Sequence, residues 1–160
     1  GFDDRYIGLT DAIGDWIGRH PPVPDAVLVS TAVRAQQTWE IAREAMIKAI
    51  GDHGPQPRVE FLPELYGAEP TQLLRIIRMA EVGDPARLMV IGHNPGMHEL
   101  ATLLIASGDV EARERLNEGL PTTGLAIIDF ASGSWAKLHP HGGRLERFIT
   151  PRSLAETDPA

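Results

Sequence analysis

The stretch Ala26-Val27-Leu28-Val29-Ser30 decides the fold, because a short apolar run of this kind is typical of a strand buried on both faces. A helix pattern follows it directly. From Val33 to Ile50, small and apolar side chains recur at intervals of three and four residues, and Gly51 is a suitable stop. A strand that leads at once into an amphipathic helix is the repeating unit of α/β proteins with parallel sheets.

The same alternation continues to about residue 120 and then changes. We expect strands at 59–62 and Leu88–Ile91, with helices at 70–80, from Met97 to near Gly108, and at 110–117. The tail predicts three strands separated by turns, at Leu125–Phe130, 135–139 and 145–149. This order predicts one domain over residues 1–160, built as a three-layer α/β/α sandwich around a mixed, mostly parallel sheet.

Composition narrows the class of protein. The chain has 160 residues, 42% of them hydrophobic, and no cysteine, which allows a sizeable core and removes disulfides and thiolate chemistry. A net charge of −7 without a basic stripe argues against nucleic-acid binding. Apolar runs such as Leu88–Ile91 are too short to span a bilayer, and no leader pattern opens the sequence, so we expect a cytoplasmic protein that does not bind membranes.

Both apolar strands lead into polar residues at the edge of the sheet where α/β proteins bind ligands, beyond the carboxyl ends of the strands. After the first strand, Ser30 or Thr31 is expected to cap the following helix, and Arg34 falls in its first turn. The helix dipole disfavours a cation there unless an anion lies between the helix start and the guanidinium. The alternative is an ordinary ion pair with a carboxylate such as Asp11 or Glu40.

The second strand leads into the loop Gly92-His93-Asn94-Pro95-Gly96. Asn94 is expected to cap the next helix, and Pro95 to take its first position. His93 is then held at the strand tip, where its imidazole can donate a hydrogen bond to a phosphoryl oxygen. The alternative is a structural or incidental histidine. The functional hypothesis requires that Arg34 and His93 face the same small oxyanion.

Two segments carry a family resemblance: residues 30–38 (STAVRAQQT) and residues 90–96 (VIGHNPG). They resemble the second and third signature motifs of the histidine phosphatase superfamily, and more narrowly those of its SixA-type phosphohistidine phosphatases. Three further segments are similar to that group in order and spacing, at 64–68 (ELYGA), 120–124 (LPTTG) and 148–151 (FITP). The resemblance covers nearly all of the chain after about Asp25.

The resemblance implies a phosphoglycerate mutase-like fold and phosphoryl transfer through a histidine nucleophile, which forms a covalent phosphohistidine that water then hydrolyses. Arg34 and His93 match the family residues that hold the equatorial phosphoryl oxygens and stabilise their charge. No metal or other cofactor is implied, since guanidinium and imidazole supply the positive charge. The implied partner is a protein bearing phosphohistidine or a small phosphorylated metabolite.

The family's nucleophile belongs to an Arg-His motif at the tip of an opening strand, and this motif has no match in residues 1–160. The one Arg-His pair, Arg19-His20, is predicted to end a helix before Pro21-Pro22. Either the opening strand lies outside these residues, or the protein lacks the nucleophile and binds phosphorylated ligands without catalysis. We expect the first, because losing a central strand would expose two strand edges and part of the core.

Other side chains are weaker candidates. Glu64 follows a predicted strand, where a carboxylic acid could protonate a leaving group or position water, and a solvated carboxylate is an equal alternative. Thr123 could donate to a ligand or serve as an ordinary turn hydroxyl. His139 and His141 could bind a metal only with a third ligand, so no metal site is predicted.

The leading hypothesis is therefore a metal-independent phosphatase for phosphohistidine or another phosphomonoester. Its catalytic candidates are Arg34, His93 and Glu64, and its substrate-binding candidates are Ser30, Thr31, Asn94 and Thr123. The alternative is a noncatalytic regulatory domain that binds phosphorylated ligands. A mutase of the same superfamily is disfavoured, because the chain is short and lacks insertions that build a sugar-phosphate cap.

Overall fold

The computed structural model describes residues 12–51, 56–80, 85–120, 124–131 and 133–157. The helices are α1 (12–19), α2 (Val33–Ile50), α3 (Pro70–Met79), α4 (Gly96–Leu104), α5 (Val110–Glu118) and α6 (Pro151–Thr157). The strands are β1 (Ala26–Ser30), β2 (Arg58–Leu62), β3 (Leu88–Ile91), β4 (Ile105–Gly108), β5 (Leu125–Phe130) and β6 (Gly143–Ile149). Within these ranges, no helix is both long and apolar enough to cross a bilayer.

The elements around β1 lie where the sequence predicts them. β1, α2, β3 and β5 have the predicted bounds, and β2, α3, α5 and β6 differ by one or two residues. Every residue of β1 is buried, because its alternating side chains enter two different cores. Val27 and Val29 pack with Trp39 of α2 on one face, while Leu28 packs with Leu100 of α4 on the other. Helices on both faces of a sheet form the predicted three layers.

The prediction of a helix continuing to near Gly108 is wrong. α4 ends at Leu104, and Ile105–Gly108 forms β4. The reason is tertiary pairing: β4 lies parallel to β6, with Ile105 opposite Gly143. Hydrogen bonds to a neighbouring strand decide the conformation of a short segment whose own propensity is weak.

The strand predicted at 135–139 is also wrong, because this segment contains the 3-10 turn Trp135–Lys137. The Ser134 hydroxyl accepts the Ala136 N–H at 3.3 Å, which starts the turn. The Trp135 indole donates to the Pro85 carbonyl at 2.6 Å, so its ring is directed at the loop before β3. Apolar residues in this segment therefore cover the sheet instead of extending it.

The strands form two three-stranded sheets that share the same cores. One sheet has the order β2-β1-β3, all parallel, and the other has the order β4-β6-β5, in which β5 is antiparallel to β6. Val90 of β3 and Ile128 of β5 belong to one hydrophobic cluster, and Ile91 and Ile127 belong to the cluster on the opposite face. The two sheets are therefore parts of one mixed, mostly parallel layer between helices.

A cavity of about 640 Å³ lies between β3 and β5. Both strands line it, and in the described part of the chain β3 pairs only with β1, and β5 only with β6. Burial differs accordingly: β1 is fully buried, whereas every residue of the equally apolar β3 is only half-buried. The cavity is thus bordered by two strand edges, whose N–H and C=O groups face it.

The two strands that border this cavity run in opposite directions. At one end, the ring of Phe130 lies 5.9 Å from the ring of Trp135. The indole N–H of Trp135 donates a hydrogen bond to the carbonyl of Pro85, shortly before β3 begins. At the other end, Asn94, just beyond β3, donates its side-chain amide to the carbonyl of Leu120, shortly before β5. The carboxyl end of β3 therefore lies beside the amino end of β5.

Candidate functional site

The carboxyl ends of β1 and β3 meet through a direct hydrogen bond. Ser30 is the last residue of β1 and is fully buried, and its Oγ lies 2.8 Å from Nε2 of His93, two residues beyond β3. The strand pairing brings these residues together, because β1 and β3 are parallel neighbours with Val29 opposite Ile91. The edge of the sheet at which the sequence predicts a ligand site therefore holds an imidazole in a defined orientation.

This hydrogen bond leaves one ring nitrogen of His93 for a ligand. Ser30 Oγ accepts the backbone N–H of Ala32 at 3.3 Å, and its own proton can then be donated to Nε2. In that arrangement the neutral imidazole carries its proton on Nδ1, which becomes a donor. The hydrogen bonds among the described residues do not involve Nδ1 of His93, and the side chain is half-buried. In that tautomer, Nδ1 is the ring atom that can donate to an anion.

Ser30 and Thr31 do not cap α2, so that prediction is wrong. The helix begins at Val33, its N-cap is Ala32, and no side chain caps it. Ser30 stays in the strand ladder opposite Leu62 of β2, and its hydroxyl is used for His93. Direct binding of substrate by Ser30 or by the half-buried Thr31 stays a prediction.

Arg34 is the second residue of α2 and is exposed. It follows Ser30 by four residues, so it starts from the same end of β1 that contacts His93. This is the first turn of a helix, whose N–H groups favour a negatively charged ligand. The structure thus places Arg34 and His93 at one edge of the sheet, and their convergence on one anion stays a prediction.

The loop between His93 and α4 is secured by the side chain of Asn94. α4 begins at Gly96 with Pro95 as its N-cap, one position later than predicted, which is within the usual uncertainty of helix ends. Asn94 Oδ1 still accepts the N–H of His98 at 3.2 Å, and its amide donates to Leu120. Both ends of the amide have partners within the protein, and substrate binding by Asn94 stays a prediction.

Glu64 lies in a 3-10 turn, Pro63–Leu65, directly after β2. Its side chain is exposed, and the neighbouring Leu65 is buried in the core beside β1. The turn therefore presents a carboxylate at the same end of the sheet as Ser30, where the sequence predicts a proton donor or a group that positions water. That chemical role stays a prediction.

Tyr66 is a site residue that the sequence reasoning did not single out. Its ring meets the ring of His93 edge-on, with centroids 5.1 Å apart and an interplanar angle of 75°. A signal was present, because an aromatic residue comes two positions after Glu64 in the segment that resembles the family. Among the remaining candidates, Thr123 lies outside the described residues. His98 donates Nε2 to the Leu116 carbonyl at 2.8 Å, which is a structural contact.

Comparison with curated proteins identifies relatives of unknown activity. Two Mycobacterium tuberculosis proteins, MT1313 (strain CDC 1551 / Oshkosh) and Rv1276c (strain ATCC 25618 / H37Rv), are each 35% identical over 151 residues, covering 92% of this chain and 85% of theirs. ML1117 of Mycobacterium leprae is 28% identical over 149 residues, covering 92% of this chain and 84% of its own. All three are named as uncharacterized proteins. No family model matches the chain.

Solved structures show the fold. An Agrobacterium tumefaciens protein that carries the name phosphohistidine phosphatase SixA is 26% identical, with a TM-score of 0.65 over 91% of this chain and 80% of that one. The chain is similar to the SixA-type histidine phosphatases in fold and in sequence. A SixA-named protein from Nakamurella multipartitia shares the fold, with a TM-score of 0.73, 23% identity, and coverage of 91% of this chain and 81% of that one. So does the protein histidine phosphatase SixA complexed with tungstate, with a TM-score of 0.64, 21% identity, and coverage of 92% and 82%.

The likeness to SixA-type proteins draws attention to the Arg19-His20 pair, which is not at a strand tip. It ends α1, as predicted. Arg19 Nε donates to Asp15 at 2.8 Å, and the His20 ring stacks on Trp16 with centroids 4.2 Å apart. Both side chains make contacts within their own helix, as the predicted helix end requires, and neither lies at the carboxyl end of a strand.

Ser30→Ala is expected to weaken oxyanion binding by this SixA-type chain about five-fold, which corresponds to one hydrogen bond of about 1 kcal/mol. Without the hydroxyl, the His93 ring loses the hydrogen bond that helps to orient it and to select its tautomer. Titration with tungstate measures the affinity, and nitrogen NMR of the imidazole reports the tautomer. Ser107→Ala, at an exposed serine on β4, is the matched control. Unchanged His93 ring signals in Ser30→Ala would contradict the positioning role.

Proposed function

We propose that this SixA-type protein is a metal-independent phosphatase that removes phosphate from phosphohistidine, or from another phosphomonoester, through a covalent phosphohistidine. The observation that carries the proposal is the 2.8 Å hydrogen bond between Ser30 and His93 at the carboxyl edge of the sheet. It holds an imidazole donor close to the start of α2, where helix N–H groups and Arg34 add positive charge. The SixA structure with tungstate, a tetrahedral oxyanion, is further support for an anion site on this fold.

The chemistry divides into two displacements at phosphorus. A histidine nitrogen attacks the phosphorus atom, the bond to the leaving group breaks, and the leaving group takes up a proton. Water then attacks the phosphohistidine and releases phosphate. In both steps negative charge is spread over the equatorial oxygens, which the Arg34 guanidinium and the His93 imidazole bind more strongly in the transition state than in the ground state. Glu64 is the group proposed to position water or to supply the proton.

We place the nucleophilic histidine on a strand that pairs with β3 and β5 in the cavity between them. The facing edges supply unpaired backbone groups, and the walls are mostly apolar. β3 has 4 residues and β5 has 6, so a strand of about five residues matches both edges. If it runs parallel to β3, its carboxyl end falls between the loop of His93 and the segment before β5. A histidine at that carboxyl end would lie next to the proposed anion.

The proposed substrate is a protein bearing phosphohistidine or a small phosphorylated metabolite in the cytoplasm. The anion site opens at an exposed sheet edge, since Arg34, Glu64 and Tyr66 are all exposed. Such a site can admit a side chain of another protein as well as a small molecule. The absence of cysteine is compatible with a reducing compartment.

Trapping of the phosphoenzyme tests this function. The full gene product is mixed with a phosphoramidate or an aryl phosphate, quenched rapidly without acid, and analysed by intact mass. We expect a mass increase of one phosphoryl group, located on a histidine, together with release of phosphate. The rival function is a noncatalytic domain that binds phosphorylated ligands. Tungstate binding without a covalent intermediate or phosphate release would establish that rival.

A further inference from the structure

Tyr66 is an exposed aromatic residue on a rigid base. Its side chain is 70% exposed, while Leu65 before it is 1% exposed and Ala68 shortly after it is 9% exposed. Leu65 and Ala68 belong to the same core cluster, so both ends of the segment are anchored. Gly67 has a φ of +67°, a conformation that favours glycine and that turns the chain back into the core after the ring. The fold therefore presents the ring outward and limits its movement.

The position of this ring relative to His93 is also defined by backbone packing. Gly96, three residues after His93, approaches Ala68 so closely that a Cβ at Gly96 would collide with the Ala68 carbonyl oxygen. The segment of Tyr66 and the loop of His93 are thus in direct backbone contact. Their rings meet edge-on at 5.1 Å as a consequence. Burial does not explain an aromatic residue here, because most of its surface faces solvent.

We propose that Tyr66 is a specificity-determining residue that binds the leaving group of the substrate, and that this leaving group is a flat aromatic ring such as the imidazole of phosphohistidine. The proposal rests on the proposed function, because it assumes a phosphoryl group bound at His93. In-line displacement puts the leaving group opposite the nucleophile. A nucleophile on a strand inside the sheet therefore directs the leaving group outward beyond the strand ends, where the exposed Tyr66 ring lies against His93.

Aromatic contact gives a selectivity that phosphate binding alone does not give. An imidazole can stack on the ring or meet it edge-on, and such pairs contribute roughly 0.5–1.5 kcal/mol beyond area burial, or about two- to ten-fold in affinity. The aliphatic leaving group of phosphoserine has no aromatic face. Inorganic oxyanions have no leaving group at all and test the anion site by itself.

The experiment compares three probes on the same protein. They are tungstate, a peptide carrying a phosphonate-bearing triazole (a stable counterpart of phosphohistidine), and the same peptide with phosphoserine. We expect Tyr66→Ala to weaken binding of the triazole peptide by about two- to ten-fold. The affinities for tungstate and for the phosphoserine peptide should stay within about a factor of two. Tyr66→Phe keeps the ring and should restore selectivity. Phe61→Ala is the matched control, since Phe61 is an aromatic residue on β2 with 45% exposure.

Each other outcome overturns the proposal in a recognisable way. If Tyr66→Ala binds the triazole peptide as well as the unaltered protein does, the ring does not contact the leaving group. If Tyr66→Ala weakens binding of all three probes equally, Tyr66 maintains the anion site and has no role in selectivity. If the unaltered protein binds none of the probes, the proposed function fails and the specificity role fails with it. Thermal unfolding of each variant shows whether a loss reflects the fold.

Discussion

His93→Ala is expected to lower kcat/KM of the full gene product for an aryl phosphate on the order of 10²-fold or more, because it removes one donor to the charge that develops on phosphorus-bound oxygens. The side chain lies two residues beyond β3 and is oriented by the 2.8 Å hydrogen bond to Ser30. In the alanine variant, neither the Ser30 hydroxyl nor the oxyanion has an imidazole to bind. The same variant in the 160-residue chain should bind tungstate markedly more weakly, which separates anion binding from turnover.

Arg34→Ala is expected to give a loss of similar size, since it removes the guanidinium proposed to grip two phosphoryl oxygens. Arg43→Ala is the matched control. It removes an arginine from the same helix, where Arg43 lies 3.6 Å from Glu40 in an ordinary ion pair along one face. We expect the control to retain activity. Full activity in both Arg34→Ala and His93→Ala would refute the shared anion site.

Addition of a strand is a further prediction with a large expected effect. A segment of about five apolar residues that ends in Arg-His, fused ahead of Gly1 through a flexible linker, is expected to enter the cavity between β3 and β5. It should convert half-buried strand residues into fully buried ones and raise Tm by roughly 4–8 °C, equivalent to about 2 kcal/mol in a chain of this length. Phosphatase activity should appear together with this stabilisation.

Two altered fusions separate the structural from the chemical effect. If the segment ends in Arg-Ala, the rise in Tm should persist without activity, because the strand pairs but carries no nucleophile. If a proline replaces its central residue, the rise in Tm and the phosphatase activity should both be lost, since proline removes a ladder N–H and is excluded from central strands. A fusion that changes neither Tm nor amide-exchange protection of β3 and β5 would show that the cavity does not accept a strand.

Much of the fold was predictable because its elements have strong local signals. AVLVS at 26–30 and Leu88–Ile91 are short apolar runs bounded by polar residues, a pattern typical of strands, and α2 has a sustained helical period over 18 residues. β4 was not predictable, because Ile105–Gly108 continues the pattern of α4 and becomes a strand only by pairing with β6. Trp135–Lys137 was mistaken for a strand because its apolar residues contact distant parts of the chain.

The candidate site was likewise predictable only in part. Ser30, Arg34 and His93 were found from their places after strands, since residue order along the chain specifies which side chains follow a strand end. The 2.8 Å contact of Ser30 with His93 depends on β1 and β3 being neighbours, which the order of residues does not state. Tyr66 escaped notice because its significance lies in a contact across 27 positions of chain, from residue 66 to residue 93.

By itself, the sequence of this SixA-type protein determined which segments are strands and helices, and which polar groups stand at strand ends, because local periodicity and turn chemistry are written in neighbouring residues. Only the tertiary structure decided which strand ends meet, which nitrogen of His93 is occupied, and that β3 and β5 border a cavity. These depend on packing between segments distant in the chain, where backbone pairing and close contact set the geometry.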